Sequence, residues 1–371
     1  MFTKRLLFSP GPVITSERVK KAVLNPDICH RSKDFEELYS EIREKLVNIF
    51  KGNKNDYLSI VVSGSGTASN ETVISSVLNE GEKILIITNG EFGNRLIEIT
   101  DTYKINSEII KYEWGEYPAP EDVEKKLISD KSIKLVSMVY HETSTGMINP
   151  VKKIGEIVKQ HNKLFHVDAV SAIGGENVNI INDKVDFYTG VPNKSLAGLP
   201  GVSFVVINRE GYDQIKNKQG KNVYLNLQKH VKMADEFNQT PNTPSVPIFI
   251  SLNEALNEIF EEGLENRINR YKKDAEIIRG KMKELNLKLL VSEKDKMSNT
   301  VTSVFLPEKI DVKLFLNEMF NKGYVLYPGK GPLLEKNMFQ IANMGQIYPE
   351  DCVKFTNIFS EVFSYMMQSS R

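Results

Sequence analysis

Three short stretches hold residue types that could do chemistry: SGSGT at 63–67, HVDA at 166–169 and PNKS at 192–195. In the first, small residues separate an apolar run from a helix-like one. Such a turn lets backbone N–H groups approach an anion, and a helix start favours negative charge. The glycines do not complete a dinucleotide fingerprint, because Ser69 stands where the third would fall, and no GxxxxGK[ST] occurs. A plain strand–helix turn explains this stretch as well as phosphate binding does. In the second, Asp168 ends an apolar run, where a carboxylate is costly to bury unless it meets a cation. It could hold a protonated ring nitrogen, which turns a pyridine-type cofactor into an electron sink; capping a turn is the plain alternative. His166 offers a metal ligand, but no third ligand follows nearby. In the third, Lys194 lies 26 residues after Asp168. A lysine that bonds covalently to a carbonyl needs a lowered pKa and a rigid, partly dry setting. The order is more telling than any one residue: anion turn, strand-end Asp, then Lys. Phe92, in NGEFG at 89–93, could stack on a planar group or simply pack in the core.

These residues need elements to position them. From about 58 to 207, short Val/Ile/Leu-rich runs alternate with amphipathic stretches. The runs cover 58–62, 83–88, 134–140, 164–168, 186–189 and 202–207; the stretches include 68–78, 95–103 and 150–161. Runs of that kind read as strands buried on both faces, so an α/β fold with a mostly parallel sheet flanked by helices is expected. Ligands of such sheets sit beyond the carboxyl ends of the strands, where Asp168 and Lys194 fall. After Gly220 the pattern changes. Pro241, Pro244 and Pro247 lead into a helical pattern over 248–285 with a break at Gly263. Strand-like 300–306, a helix over 312–323, strand-like 324–327 and 338–342, and a helix from about 350 follow. This reads as a smaller α+β domain: 256–371 with the N-terminal segment 1–14, beside a large domain over 15–255.

The 371 residues carry 48 basic and 48 acidic side chains, which gives no electrostatic footprint for nucleic acid or an anionic membrane. Two cysteines, Cys29 and Cys352, cannot build a disulfide framework or a Cys-rich metal site, as expected of a cytoplasmic protein. Neither a signal peptide nor an apolar run of membrane length is read in the sequence.

Taken in order, the motifs resemble the class V aminotransferases of pyridoxal 5′-phosphate (PLP) fold type I, nearest to their 2-aminoethylphosphonate–pyruvate group. The likeness rests on FSPGPV at 8–13, DICHR at 27–31, SGSGT at 63–67 and TNGEFG at 88–93. It continues through HETSTGM at 141–147, VDAV at 167–170, NK at 193–194, PG at 200–201 and YPGK at 327–330. The resemblance implies a transferase that moves an amino group from a small amine or amino acid to pyruvate or a similar oxo-acid. It implies that Ser65, Gly66 and Thr67 cradle the phosphate, with Asn193 and Thr243 completing the cup. Thr243 would come from the partner in a homodimer. Phe92 and Val170 would face the two sides of the ring, Thr143 its hydroxyl and Asp168 its nitrogen. Lys194 would carry the cofactor covalently and shuttle a proton.

One position departs from the pattern. Gln340 stands where relatives usually place an arginine for the acid end of the substrate. A neutral amide does not replace a bidentate charged pair. Arg31, Arg95 and Lys330 are candidate replacements. An alanine/serine–glyoxylate type enzyme, or a transaminase of an amine lacking the acid, therefore stays open, as does a non-catalytic PLP-binding protein. A cysteine desulfurase does not fit, because no cysteine occurs in 327–340 and Cys352 falls in the last helix.

Overall fold

The computed structural model describes residues 4–369; positions 1–3 and 370–371, assigned above to the smaller unit, lie outside the described residues. Seven strands form the main sheet: β1 (Tyr57–Ser63), β2 (Lys83–Thr88), β3 (Asn106–Lys111), β4 (Ile133–Val139), β5 (Leu164–Asp168), β6 (Phe187–Gly190) and β7 (Val202–Asn208). Their order is β1-β7-β6-β5-β4-β2-β3. All neighbours are parallel except β7, which runs antiparallel to both β1 and β6. Two reversals restore direction, so β1 ends on the same edge as the parallel strands. Ser63, Thr88, Val139, Asp168 and Gly190 thus share the edge beyond which such sheets bind ligands.

The fold is the α/β arrangement expected, and the six apolar runs are six of the seven strands. Helices cover both faces, which is why β1 and β5 are buried along almost their whole length. β3 has no such run. As the edge strand it has only exposed and half-buried positions, and its sequence, NSEIIK, carries no continuous apolar signal. Among the helices, α1 (Gly66–Val77) follows β1 and α2 (Glu91–Thr102) follows β2. The long pattern near 248–285 resolves into α3 (Val246–Glu262) and α4 (Leu264–Glu284). Between them Gly263 takes φ 84°, a conformation that only glycine enters without strain.

A second sheet, β8 (Lys288–Leu289), β9 (Val301–Phe305), β10 (Tyr327–Pro328) and β11 (Met338–Ala342), is antiparallel in the order β8-β9-β11-β10. The stretch 324–327, expected as one strand, divides. Tyr324–Val325 pairs with Leu6–Leu7, while Tyr327–Pro328 pairs with β11. Periodicity does not say which neighbour each half will meet. Two large hydrophobic clusters result. The first runs from Phe35 to Ile259, and the second joins Phe8 to Ile278 and residues beyond it. In the second, the Phe8 ring stacks on Phe355 at 4.2 Å between centroids. Phe8 also gives its carbonyl to the Ala342 N–H at 2.9 Å. That anchorage places the next residues, Pro10 and Gly11, over the sheet edge.

Helix α4 supports the connection after β6 from the other side. The Tyr271 hydroxyl donates to the Ser195 carbonyl at 2.9 Å and accepts from the Gly345 N–H at 3.1 Å. Arg267, fully buried, donates to the Leu196 carbonyl at 3.1 Å and to Glu262 at 2.6 Å. Tyr271→Phe strips both backbone groups of their buried partner, at a cost of about 1–3 kcal/mol. The denaturation midpoint of this variant should fall measurably below that of the wild type. An unchanged midpoint would show that the hydroxyl does not brace the 194–196 turn.

Candidate active site

Lys194 sits in a tight turn after β6, closed by the Ala197 N–H on the Lys194 carbonyl at 2.9 Å and the Gly198 N–H on the Pro192 carbonyl at 2.8 Å. Ala197 pays for the turn with φ 57°, in the left-handed region that costs a non-glycine residue roughly 1 kcal/mol. The Lys194 amine donates to the Pro10 carbonyl. Gly11, at φ 128°, lies so close that a Cβ there would come within 2.9 Å of the lysine Cδ. The amine pKa is lowered to about 8, first by burial, with Lys330 and Arg95 adding to it and Asp168 opposing. The depressed pKa that covalent chemistry needs is therefore present.

Asp168 is buried at the end of β5 and makes no ion pair among the described residues. Its carboxylate accepts from Asn70 Nδ2 at 2.6 Å and from the Val170 N–H at 2.8 Å. Burial nevertheless pushes its pKa up. Behind it Thr189 Oγ1 donates to Asn70 Oδ1 at 2.5 Å, and His166 Nδ1 meets Ser137 Oγ at 2.8 Å. Burial holds the His166 pKa down to about 3, so this imidazole is neutral and structural. Sequence reasoning missed Asn70; its only signal was a polar residue inside a helix that is otherwise small and buried. Pro10 gave none, since it acts through a backbone carbonyl.

At the end of β1, Ser65 caps α1 with extended backbone and is exposed. The N–H groups of the first helical turn, including those of Gly66 and Thr67, have no carbonyl to reach within the helix. A Cβ on Gly66 would lie 2.7 Å from Val170 Cγ2, so glycine lets α1 close against the residue after Asp168. Phe92 is half-buried, with Arg95 Cζ 5.0 Å and Lys330 Nζ 4.7 Å from its ring centre. The start of α2 rests on Glu142, a buried carboxylate that accepts from the Gly93 N–H at 3.0 Å and from Ser144 Oγ at 2.5 Å. Beside it Thr143 donates its hydroxyl to Ser171 Oγ at 2.5 Å.

Gln340 lies on β11, buried, and its Nε2 donates to the Thr143 carbonyl at 2.6 Å and to Ser303 Oγ at 3.1 Å. Asn193 is half-buried next to Lys194. One expected residue is committed elsewhere. Arg31 donates to Gln239 Oε1 at 2.8 Å, the Thr240 carbonyl at 2.7 Å and the Pro241 carbonyl at 3.4 Å. Thr243, in the segment that follows, is exposed. The structure thus gathers Lys194, Asp168, Phe92, Arg95 and Lys330, with Thr143 and Gln340 joined to each other. A cavity of about 1450 Å³ lies instead between α4 and Tyr140 and is lined by none of these residues. Cys352 is buried in the helix Pro349–Ser369, where burial raises its thiol pKa. No group of three metal-ligating side chains occurs among the described residues.

In cofactor-free protein, acylation of Lys194 should rise through a midpoint near pH 8 rather than the ordinary lysine value near 10.5. Asp168 favours the charged amine, so Asp168→Asn should move the midpoint lower still. Peptide mapping of pH-dependent labelling reads both; an ordinary midpoint would contradict a dry amine.

The chain matches the family model described as aminotransferase class-V over residues 15–323. It is 36% identical over 343 residues to an uncharacterized aminotransferase of Methanocaldococcus jannaschii, covering 92% of this chain and 88% of that one. It is 32% identical over 346 residues to a 2-aminoethylphosphonate–pyruvate transaminase of Lysinibacillus sphaericus, covering 93% of each. In structure it is similar to the ureidoglycine–glyoxylate aminotransferase of Bacillus subtilis, with a TM-score of 0.92, 28% identity, and coverage of 99% of this chain and 94% of that one. An amine of lowered pKa behind a strand-end carboxylate now has its context: the chain belongs to the class V aminotransferases.

Proposed function

We propose that the protein is a PLP-dependent aminotransferase whose cofactor is carried on Lys194, with 2-aminoethylphosphonate as the favoured donor and pyruvate as acceptor. The observation that carries this reading is the Lys194 amine, lowered to about 8, within electrostatic reach of the buried Asp168, which makes no direct ion pair among the described residues. The residues fit the group. Asp168 lacks the positive partner that a protonated ring nitrogen would supply. The first turn of α1 offers free N–H groups to a phosphate. The donor and acceptor come from the name borne by the relative from Lysinibacillus sphaericus.

When bound, PLP supplies an aldehyde to receive the amino group and a ring that acidifies the donor's Cα–H. The residues around it supply the rest. Ser65, Gly66 and Thr67 bind the phosphate through hydroxyl and N–H donors, with Asn193 at the side. Phe92 and Val170 would hold the cofactor ring between them. The Thr143 hydroxyl, set by Ser171, orients the ring hydroxyl. Asp168, fixed by Asn70 and the Val170 N–H, keeps a proton on the ring nitrogen by Coulomb attraction in a poorly solvated site. Lys194, with its pKa near neutrality, takes the proton from the donor Cα and returns it. Thr243 is exposed in one chain and would complete the phosphate cup of a second copy, which makes the working unit a homodimer. Gln340 favours a second reading, in which the donor lacks the acid group or is an amino acid paired with glyoxylate.

Borohydride reduction of the PLP-loaded protein, followed by peptide mapping, should place the pyridoxyl group on Lys194; label on Lys330 instead would overturn the assignment. Asp168→Asn should retain bound cofactor yet slow the donor half-reaction on the order of a hundredfold or more, the scale of losing one preorganised electrostatic partner. Stopped-flow absorbance measures that rate, and near-normal turnover would remove Asp168 from the mechanism.

A further inference from the structure

Three observations bear on how the acid end of a substrate is held. First, both N–H hydrogens of the Gln340 amide are committed, to the Thr143 carbonyl and to Ser303 Oγ. Residue 340 therefore fastens β11 to the 141–147 loop and has no donor left for a ligand. Second, the Arg31 guanidinium is spent on holding the 239–241 segment. Third, Lys330 has no carboxylate partner among the described residues. Its nitrogen lies 4.7 Å from the centre of the Phe92 ring, and Arg95 approaches the same ring at 5.0 Å. The ion pair of Arg95 with Glu91, at 3.9 Å, is loose and one helical turn away.

We propose that Lys330, assisted by Arg95, binds the acid end of the amino donor, while Gln340 acts as a positioning residue for the Thr143 loop. The proposal rests on the aminotransferase reading above and names the residues that select its substrate. Its physical basis is a local excess of positive charge. Lys330 and Arg95 approach the same Phe92 ring within electrostatic reach of Lys194, and like charges in a half-dry site repel unless an anion joins them. The strand geometry brings Lys330 to this place: Tyr327 pairs with Gln340, and the Tyr327 hydroxyl donates to the Gly11 carbonyl at 3.1 Å. The loop bearing Lys330 is thereby tied to the segment over Lys194. Two cations match a phosphonate, which approaches two negative charges near neutral pH, better than a singly charged carboxylate. Phosphonate is accordingly the favoured acid class.

The test uses the PLP-loaded protein as wild type, Lys330→Gln, Lys330→Arg and Arg95→Gln. Half-saturation is measured for 2-aminoethylphosphonate, 3-aminopropanoate and propylamine, and calorimetry measures binding of ethylphosphonate, which has the acid and no amine. Lys330→Gln should weaken 2-aminoethylphosphonate and ethylphosphonate tenfold or more and leave propylamine within about twofold. Lys330→Arg should recover most of the loss, and Arg95→Gln should show a smaller loss of the same kind. Unchanged ethylphosphonate binding in Lys330→Gln overturns the proposal. So does a parallel loss of the bound-cofactor absorbance, which would mean that Lys330 serves the cofactor's own anion. Should the wild type react with none of the three amines, the 2-aminoethylphosphonate donor reading fails, and ethylphosphonate binding still decides the role of Lys330.

Discussion

The whole site depends on keeping one lysine amine dry. Burial destabilises the ammonium form of Lys194, and the neighbouring Lys330 and Arg95 push the same way. A flexible side chain does not stay in such a place unaided. From one side Pro10 and Gly11 cover it, held there because Phe8 is packed into the second core. From the other side Tyr271 and Arg267 of α4 hold the carbonyls of Ser195 and Leu196. The turn that bears the lysine, held from both sides, tolerates a strained Ala197. Strain of that size persists where surrounding structure fixes the backbone.

The second consequence is electrostatic. A site dry enough to depress a lysine also raises its carboxylates, as the upward shifts of Asp168 and Glu142 show. The protein answers each differently. Glu142 is given N–H and hydroxyl donors at the start of α2 and fixes the helix that carries Phe92 and Arg95. Asp168 is given Asn70 and one backbone N–H, and no direct ion pair among the described residues. The first is a satisfied structural group, whereas the second is left able to take a positive partner. Buried polar groups without donors are expensive, so the difference in partners separates a fully satisfied carboxylate from one left open to a cation.

Much of this architecture is legible in the order of residues along the chain. Strands buried on both faces betray themselves as continuous apolar runs, so six strands of the main sheet are readable, and with them the edge where Asp168 and Lys194 fall. β3 is not, because an edge strand buries too little to need such a run. The antiparallel direction of β7 and the division of the 324–327 segment are equally silent, since pairing is a choice of neighbour and not a property of the run itself. Among the site residues, the glycines, Asp168 and Lys194 announce themselves by type and order. Asn70, Pro10 and Tyr271 do not, because what they contribute is a contact.

Gln340 shows the division most clearly. By itself the sequence determined that no arginine stands at 340 and that Arg31, Arg95 and Lys330 are the charges at hand. Which of them is free was decided by the fold. Arg31 is tied to carbonyls of the 239–241 segment, while Lys330 is brought to the Phe92 ring by the pairing of β10 with β11. The reason is physical. Residue type and local periodicity are carried along the chain, but a charge is free or committed according to groups hundreds of residues away, and only packing sets which groups those are.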